Sequence, residues 1–279
     1  MWTVVHMLKW ATDYFKKKDI PSPRLSIEWL LSHLLGVHRL DLYLQFDRPL
    51  SPDELNRLKP LIMRRAKNEP LQYITGTTDF LNLTLRVTKD VLIPRPETEQ
   101  LVEKLLQQHP GNETLRFLDI GTGSGCIALA IKKARPQWQV TAIDISDHAL
   151  LIARDNAHNL KLDISFHHTG FQQFHPEKTF DIVASNPPYI GIDEISSLEK
   201  QVIDFEPRTA LILDDVTTIY SELVDWCKSY LSPTGKFYLE INEKYGDKLL
   251  KICNLHPFKG ILSQDYSAKD RFLTGFFDK

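Results

Sequence analysis

The sequence predicts an α/β protein: a mostly parallel, doubly wound sheet ending in an antiparallel hairpin, preceded by a small all-α region and a linking β-hairpin. Three observations carry this expectation. From residue 115 onward, short apolar stretches alternate with helical ones, the rhythm of strands joined by crossover helices and buried on both faces. The last two apolar stretches, 258–265 and 271–277, are joined only by a short polar loop, which suits an antiparallel pair. Residues 1–75 show helical periodicity alone.

In the helical region, Val4, Val5, Leu8, Ala11 and Phe15 form one apolar stripe, and Leu25, Ile27, Leu30, Leu31, Leu34 and Leu35 form a second, closed by Gly36. A further helix starts at SPDEL, with Ser51 as N-cap, Pro52 at the first helical position and acids in the first turn. Pro60 is expected to kink it. Four or five helices result, and they end at residue 75. Residues 76–95 follow as a hairpin linker, where Phe80, Leu83, Leu85 and Val87 alternate with polar residues. PRPETE (94–99) then opens a helix through Leu101, Leu105 and Leu106, at the start of a third segment, 96–279. Strands are expected at 116–120, 139–145, 164–168, 180–185 and 236–241, with helices at about 124–134, 147–159, 214–230 and 243–254.

Composition excludes several classes. The net charge is −2, so no global basic field marks a non-specific nucleic-acid binder. Charge is uneven, with 12 Lys/Arg against 8 Asp/Glu in residues 1–75. Cys126, Cys227 and Cys253 lie far apart without CxxC spacing, which suggests neither a disulfide framework nor zinc. The opening residues lack the uninterrupted apolar core of a secretory signal, and no apolar run approaches ~18 residues. A cytoplasmic protein without membrane or metal is expected. His167 and His168 do not alter this, because neighbours on a strand face opposite ways.

Two features carry chemistry. LDIGTGSGCIALA (118–130) places Gly121, Thr122, Gly123, Ser124 and Gly125 at the carboxyl end of the first parallel strand, where open α/β sheets bind ligands. Asp144 ends the next strand and is placed to accept from ribose hydroxyls. The spacing is GxGxG rather than the GxGxxG of dinucleotide loops, and Asp119 precedes it. A carboxylate there repels pyrophosphate but suits an ammonium group, favouring S-adenosylmethionine over NAD. The second feature is SNPPYI (185–190), at the end of the fourth strand on the same sheet edge. Pro187 and Pro188 donate no N–H and fix the backbone, so ladder pairing stops there. Asn186 adds a carbonyl acceptor and Tyr189 a flat ring, a receptor for a planar –NH2 group. Asn186, Pro187, Pro188 and Tyr189 are therefore the candidate substrate residues, and Asn186, Pro187 and Tyr189 the candidate catalytic ones, holding a weakly nucleophilic nitrogen toward a methyl donor.

The mostly parallel sheet with its antiparallel hairpin resembles the class I methyltransferase fold. YITG (73–76), LIPRPETE (92–99), DIGTGSG (119–125), NPPYI (186–190) and FEPRTAL (205–211) together resemble the release factor glutamine methyltransferase family over essentially the whole chain. That resemblance implies methyl transfer from S-adenosylmethionine to N5 of the glutamine in the Gly-Gly-Gln loop of peptide chain release factors, by a monomer without direct nucleic-acid contact. It also implies that Asn186 borders the cofactor, that Phe171 covers the adenine and that Phe80 walls the substrate pocket. Gly170 stands where family members commonly carry an acid before the aromatic. The Asn-Pro-Pro-Tyr motif leaves open an adenine or cytosine N-methyltransferase and a ribosomal-protein glutamine methyltransferase. A non-enzymatic cofactor-binding scaffold is disfavoured by the intact loop and turn.

Overall fold

The computed structural model describes residues 1–278 and divides into two units, one formed by Met1–Thr77 with Glu199–Phe205 and the other by the remainder. The smaller unit contains α1 (Val4–Lys16), α2 (Pro23–Leu35), α3 (Asp41–Leu44), α4 (Pro52–Arg65) and α5 (Leu71–Thr75). Helix α1 starts where the Thr3 hydroxyl accepts from the His6 N–H, and it buries Val4, Met7, Leu8, Ala11 and Phe15. Ser51 and Glu54 form a reciprocal capping box at the start of α4, so two otherwise orphaned donors are satisfied. Pro60 lies inside that helix. The segment 199–205 joins this unit through Arg65, a buried guanidinium that donates to Ser26 Oγ, the Glu69 carbonyl and Gln201 Oε1. Helical periodicity in residues 1–75 gave no hint of this late return of the chain.

The larger unit begins at Thr78, within the hairpin β1 (Thr77–Phe80) and β2 (Leu83–Arg86), and continues with α6 (Pro96–Gln108). Its main sheet contains β3 (Arg116–Ile120), β4 (Gln139–Asp144), β5 (Ser165–His168), β6 (Phe180–Ser185), β9 (Leu231–Glu240), β10 (Phe258–Gln264) and β11 (Asp270–Phe277). A two-residue pair, β7 (Ile190–Gly191) and β8 (Ile212–Leu213), lies apart from it. The sheet order is β10-β11-β9-β6-β3-β4-β5. The pairs from β9 through β5 are parallel, and β11 runs antiparallel to both β9 and β10. Helices α7 (Cys126–Ala134), α8 (Asp147–Leu160), α9 (Val216–Tyr230) and α10 (Gly246–Leu255) complete the unit.

Strand side chains alternate between two cores. Phe117, Ile182 and Tyr238 pack with α6 and α7, while Leu118, Val183 and Leu239 pack with α9 and α10. Burial of both faces explains why these strands read as unbroken apolar runs. One strand is longer than its sequence suggests. The strand expected at 236–241 begins instead at Leu231 and takes in Pro233 and Gly235. Its register against β6 shifts between Phe180 and Ile182, and that irregularity absorbs the SPTG residues.

Candidate active site

A cleft of about 440 Å³ opens at the carboxyl ends of β3, β4 and β6. Its floor is the loop after β3. Gly121, Gly123 and Gly125 all have positive φ, at +71°, +56° and +85°. At Gly125 a side chain would also lie 2.9 Å from Leu129 Cδ1 and 3.2 Å from Ala153 Cβ, so glycine is needed for both conformation and close helix packing. The loop is tied down by the Gly121 and Thr122 N–H groups, which both donate to the Ile143 carbonyl. Asn156, buried on α8, donates to the Ser124 carbonyl and exchanges two hydrogen bonds with the backbone of Arg86.

Two carboxylates frame this loop differently. Asp144 lines the cleft, with Oδ2 accepting from Gly123 N–H at 2.8 Å and Oδ1 from Ser146 N–H at 2.9 Å. Burial raises its pKa against these backbone donors. Asp119 is completely buried beneath the loop. Its Oδ2 accepts from the Thr122 hydroxyl at 2.6 Å and from Ala128 N–H at 3.2 Å, while Oδ1 has no partner. Burial pushes this carboxyl up to about 7, against the pull of those two donors. An unpaired buried carboxylate oxygen is costly, and an ammonium group at the loop would relieve it. The residues present thus fit S-adenosylmethionine.

Phe171 lines the cleft and is only 7% exposed, on a short 3₁₀ turn that begins after Gly170. Opposite the glycine loop, Asn186, Pro187 and Pro188 form part of the wall where β6 ends. Tyr189 packs against the second core, and its hydroxyl turns away to donate to Glu240 Oε1 at 3.0 Å. Asn186 Nδ2 donates to Thr98 Oγ1 at 3.0 Å, and the Thr98 hydroxyl donates to Glu240 Oε2 at 2.7 Å. Phe80 must be corrected: it is 0% exposed, packed in the first core beside Leu83 and Leu101, and forms no part of the cleft wall. Strand alternation put its side chain inward together with Leu83 and Leu85, and the core needed that volume.

Several contributors were not singled out from sequence. Thr98 and Arg95 lie within LIPRPETE, and Glu206 within FEPRTAL. Glu206 is buried, accepts from Arg95 Nη2 at 2.6 Å and from Ile93 N–H, and so ties the 92–95 segment that lines the cleft. Glu240 carried a signal of its own, a single acid in the otherwise apolar run FYLEI. His167 approaches the Phe174 ring at 5.5 Å, and a His168 ring nitrogen bonds the Ile145 carbonyl.

A mostly parallel sheet with an antiparallel final pair, a glycine loop after β3 and an acid ending β4 define the class I S-adenosylmethionine-dependent methyltransferases. Residues 6–76 match the family described as "PrmC N-terminal domain", and residues 96–204 match "Methyltransferase small domain". The chain is 37% identical to a release factor glutamine methyltransferase of Geobacter sulfurreducens, over 99% of this chain and 97% of the relative. It is 41% identical to one of Rhodopirellula baltica, over 86% and 84%. A solved methyltransferase from Pyrococcus furiosus shares the fold at 18% identity, with a TM-score of 0.54 over 80% of this chain and 98% of that one. The chain belongs to the release factor glutamine methyltransferase family.

Proposed function

We propose that this protein methylates N5 of the glutamine side chain in the Gly-Gly-Gln loop of peptide chain release factors, using S-adenosylmethionine. The observation that carries the reading is Asn186. It stands at the end of β6 on the cleft wall, with its amide nitrogen engaged by Thr98 and its carbonyl left for a ligand. A glutamine amide nitrogen is a weak nucleophile, because its lone pair is delocalised into the carbonyl. Asn186 Oδ1 accepts one of its hydrogens, and a backbone carbonyl of the Pro-Pro turn accepts the other. Two acceptors favour a pyramidal nitrogen and stabilise the positive charge that grows on it. When bound, the cofactor would supply an electrophilic methyl group on sulfonium, whose carbon–sulfur bond breaks as the N–C bond forms and leaves a neutral thioether. One N–H proton leaves to solvent as the amide is restored.

Asp119, Gly121 to Gly125 and Asp144 hold the cofactor, and Phe171 covers its adenine. The helical region 1–75 grips the release factor, the 76–95 hairpin links it, and 96–279 performs the transfer. The protein works as a monomer in the cytoplasm, without nucleic acid. No helix among the described residues is long and apolar enough to cross a membrane. Incubation with labelled S-adenosylmethionine and either a purified release factor or duplex DNA tests the reading. Label on a single glutamine of the release factor is expected, and label on DNA alone would overturn it.

A further inference from the structure

We infer that Glu240 is a positioning residue which, acting through Thr98, decides which end of the Asn186 amide faces the substrate. This rests on the reading of Asn186 as the acceptor for the substrate nitrogen. Glu240 is completely buried, and its two oxygens each receive a hydroxyl proton, Oε2 from Thr98 and Oε1 from Tyr189. A hydroxyl has one proton to give. Once Thr98 has given its proton to the carboxylate, Oγ1 can only accept. The group facing it from Asn186 at 3.0 Å must then be the N–H side, so the amide carbonyl points away from Thr98.

That direction matters chemically. The two ends of an asparagine amide have nearly the same size and opposite hydrogen-bonding character. Turned over, Asn186 would set N–H donors against the N–H donors of the substrate. Nothing intrinsic to asparagine prevents this rotation. An ionised carboxylate at the far end of the chain does prevent it, because it accepts only. A group at position 240 able to donate to Thr98 would free the Thr98 proton for Asn186 and release the amide.

The groups facing Glu240 come from four elements. Glu97 and Thr98 approach from α6, Tyr189 from the segment after β6, and Arg271 from β11, where its Nε pairs with Asp265. Tyr220 on α9 donates to the Glu240 carbonyl rather than to its side chain. Burial raises the carboxyl pKa to about 7, while Thr98, Tyr189 and Arg271 pull it down and Glu97 pushes it up. As pH falls through that value, Glu240 gains a proton and can donate. Turnover should decline with it.

Steady-state methylation of a purified release factor by the full chain, followed from about pH 6 to about pH 9, tests the relay. Calorimetric titration with S-adenosylmethionine runs alongside. Thr98→Ser, which keeps the hydroxyl, should retain kcat within about twofold. Thr98→Val, the same shape without the hydroxyl, should lose kcat on the order of 10²-fold with cofactor affinity nearly unchanged. Glu240→Gln should lose kcat similarly and show no acidic limb near pH 7; if it fails to fold, the Thr98 pair decides. Wild-type kcat in Thr98→Val beside an inactive Asn186→Ala would overturn the relay and leave the glutamine reading intact. Equal loss in Thr98→Ser and Thr98→Val would also overturn it. An active Asn186→Ala would instead overturn the reading beneath it.

Discussion

At the scale of the residue, the two sides of the cleft act separately. Asn186 belongs to the turn after β6, and its side chain donates to Thr98, away from the glycine loop. Asn186→Ala should therefore leave S-adenosylmethionine binding nearly unchanged while lowering methyl transfer by about 10²- to 10³-fold, the scale for losing one group aimed at developing charge. Calorimetry and label incorporation on the same preparation check this, and parallel loss of both would make the turn structural only. Asp119 answers from the other side. Its carboxyl is held up near 7 by burial, and its unpaired Oδ1 suits a cation once ionised. Affinity for S-adenosylmethionine should thus strengthen as pH rises through about 7. Asp119→Asn should weaken binding and flatten that dependence, and a wild-type pH profile in the variant would exclude Asp119 as its source.

At the scale of the element, the β3-to-α7 turn depends on conformations that side chains rarely adopt. Gly125 caps α7 at φ +85°, and a methyl group there would meet Leu129 and Ala153. Gly125→Ala should cost about 1–3 kcal/mol, combining left-handed strain with repacking between α7 and α8. Denaturant unfolding measures it, and an unchanged midpoint would mean that the turn relaxes freely. The element scale also shows what sequence patterns could not reveal. Alternation of Phe80, Leu83, Leu85 and Val87 indicated a hairpin but not what Phe80 packs against, because alternation reports a side and not the neighbours on that side. Pro233 and Gly235 are turn residues by local chemistry, and they lie within β9 only in the irregular stretch between its pairs with β6 at Leu231 and at Lys236. Thr98 lay in a quoted motif, but its partner Glu240 is 142 residues away, beyond any local pattern.

At the scale of the whole molecule, buried titratable groups link stability to pH. Asp119 and Glu240 are both raised to about 7 by burial, so the folded chain keeps two protons that the unfolded chain releases. Their contribution is present at low pH and is lost as pH rises through about 7, at up to about 1.4 kcal/mol per pH unit for each group. His109, lowered to about 4 mainly by burial, acts in the opposite sense, but only below its ordinary value of 6.5. Unfolding free energy should therefore fall between about pH 6.5 and pH 7.5, with a shallower slope in Asp119→Asn or Glu240→Gln. Denaturant titrations at both pH values check it, and a rise with pH would refute it. The sequence by itself determined the α/β class, the glycine loop, the acid after β4 and the Asn-Pro-Pro-Tyr turn, because each follows from local backbone rules and the edge at which parallel strands end. Only the tertiary structure decided the chain Tyr189–Glu240–Thr98–Asn186, the Arg95–Glu206 tie and the return of 199–205 to the helical unit. Those contacts join residues far apart in the chain, and burial sets their energies, so no spacing in the sequence encodes them.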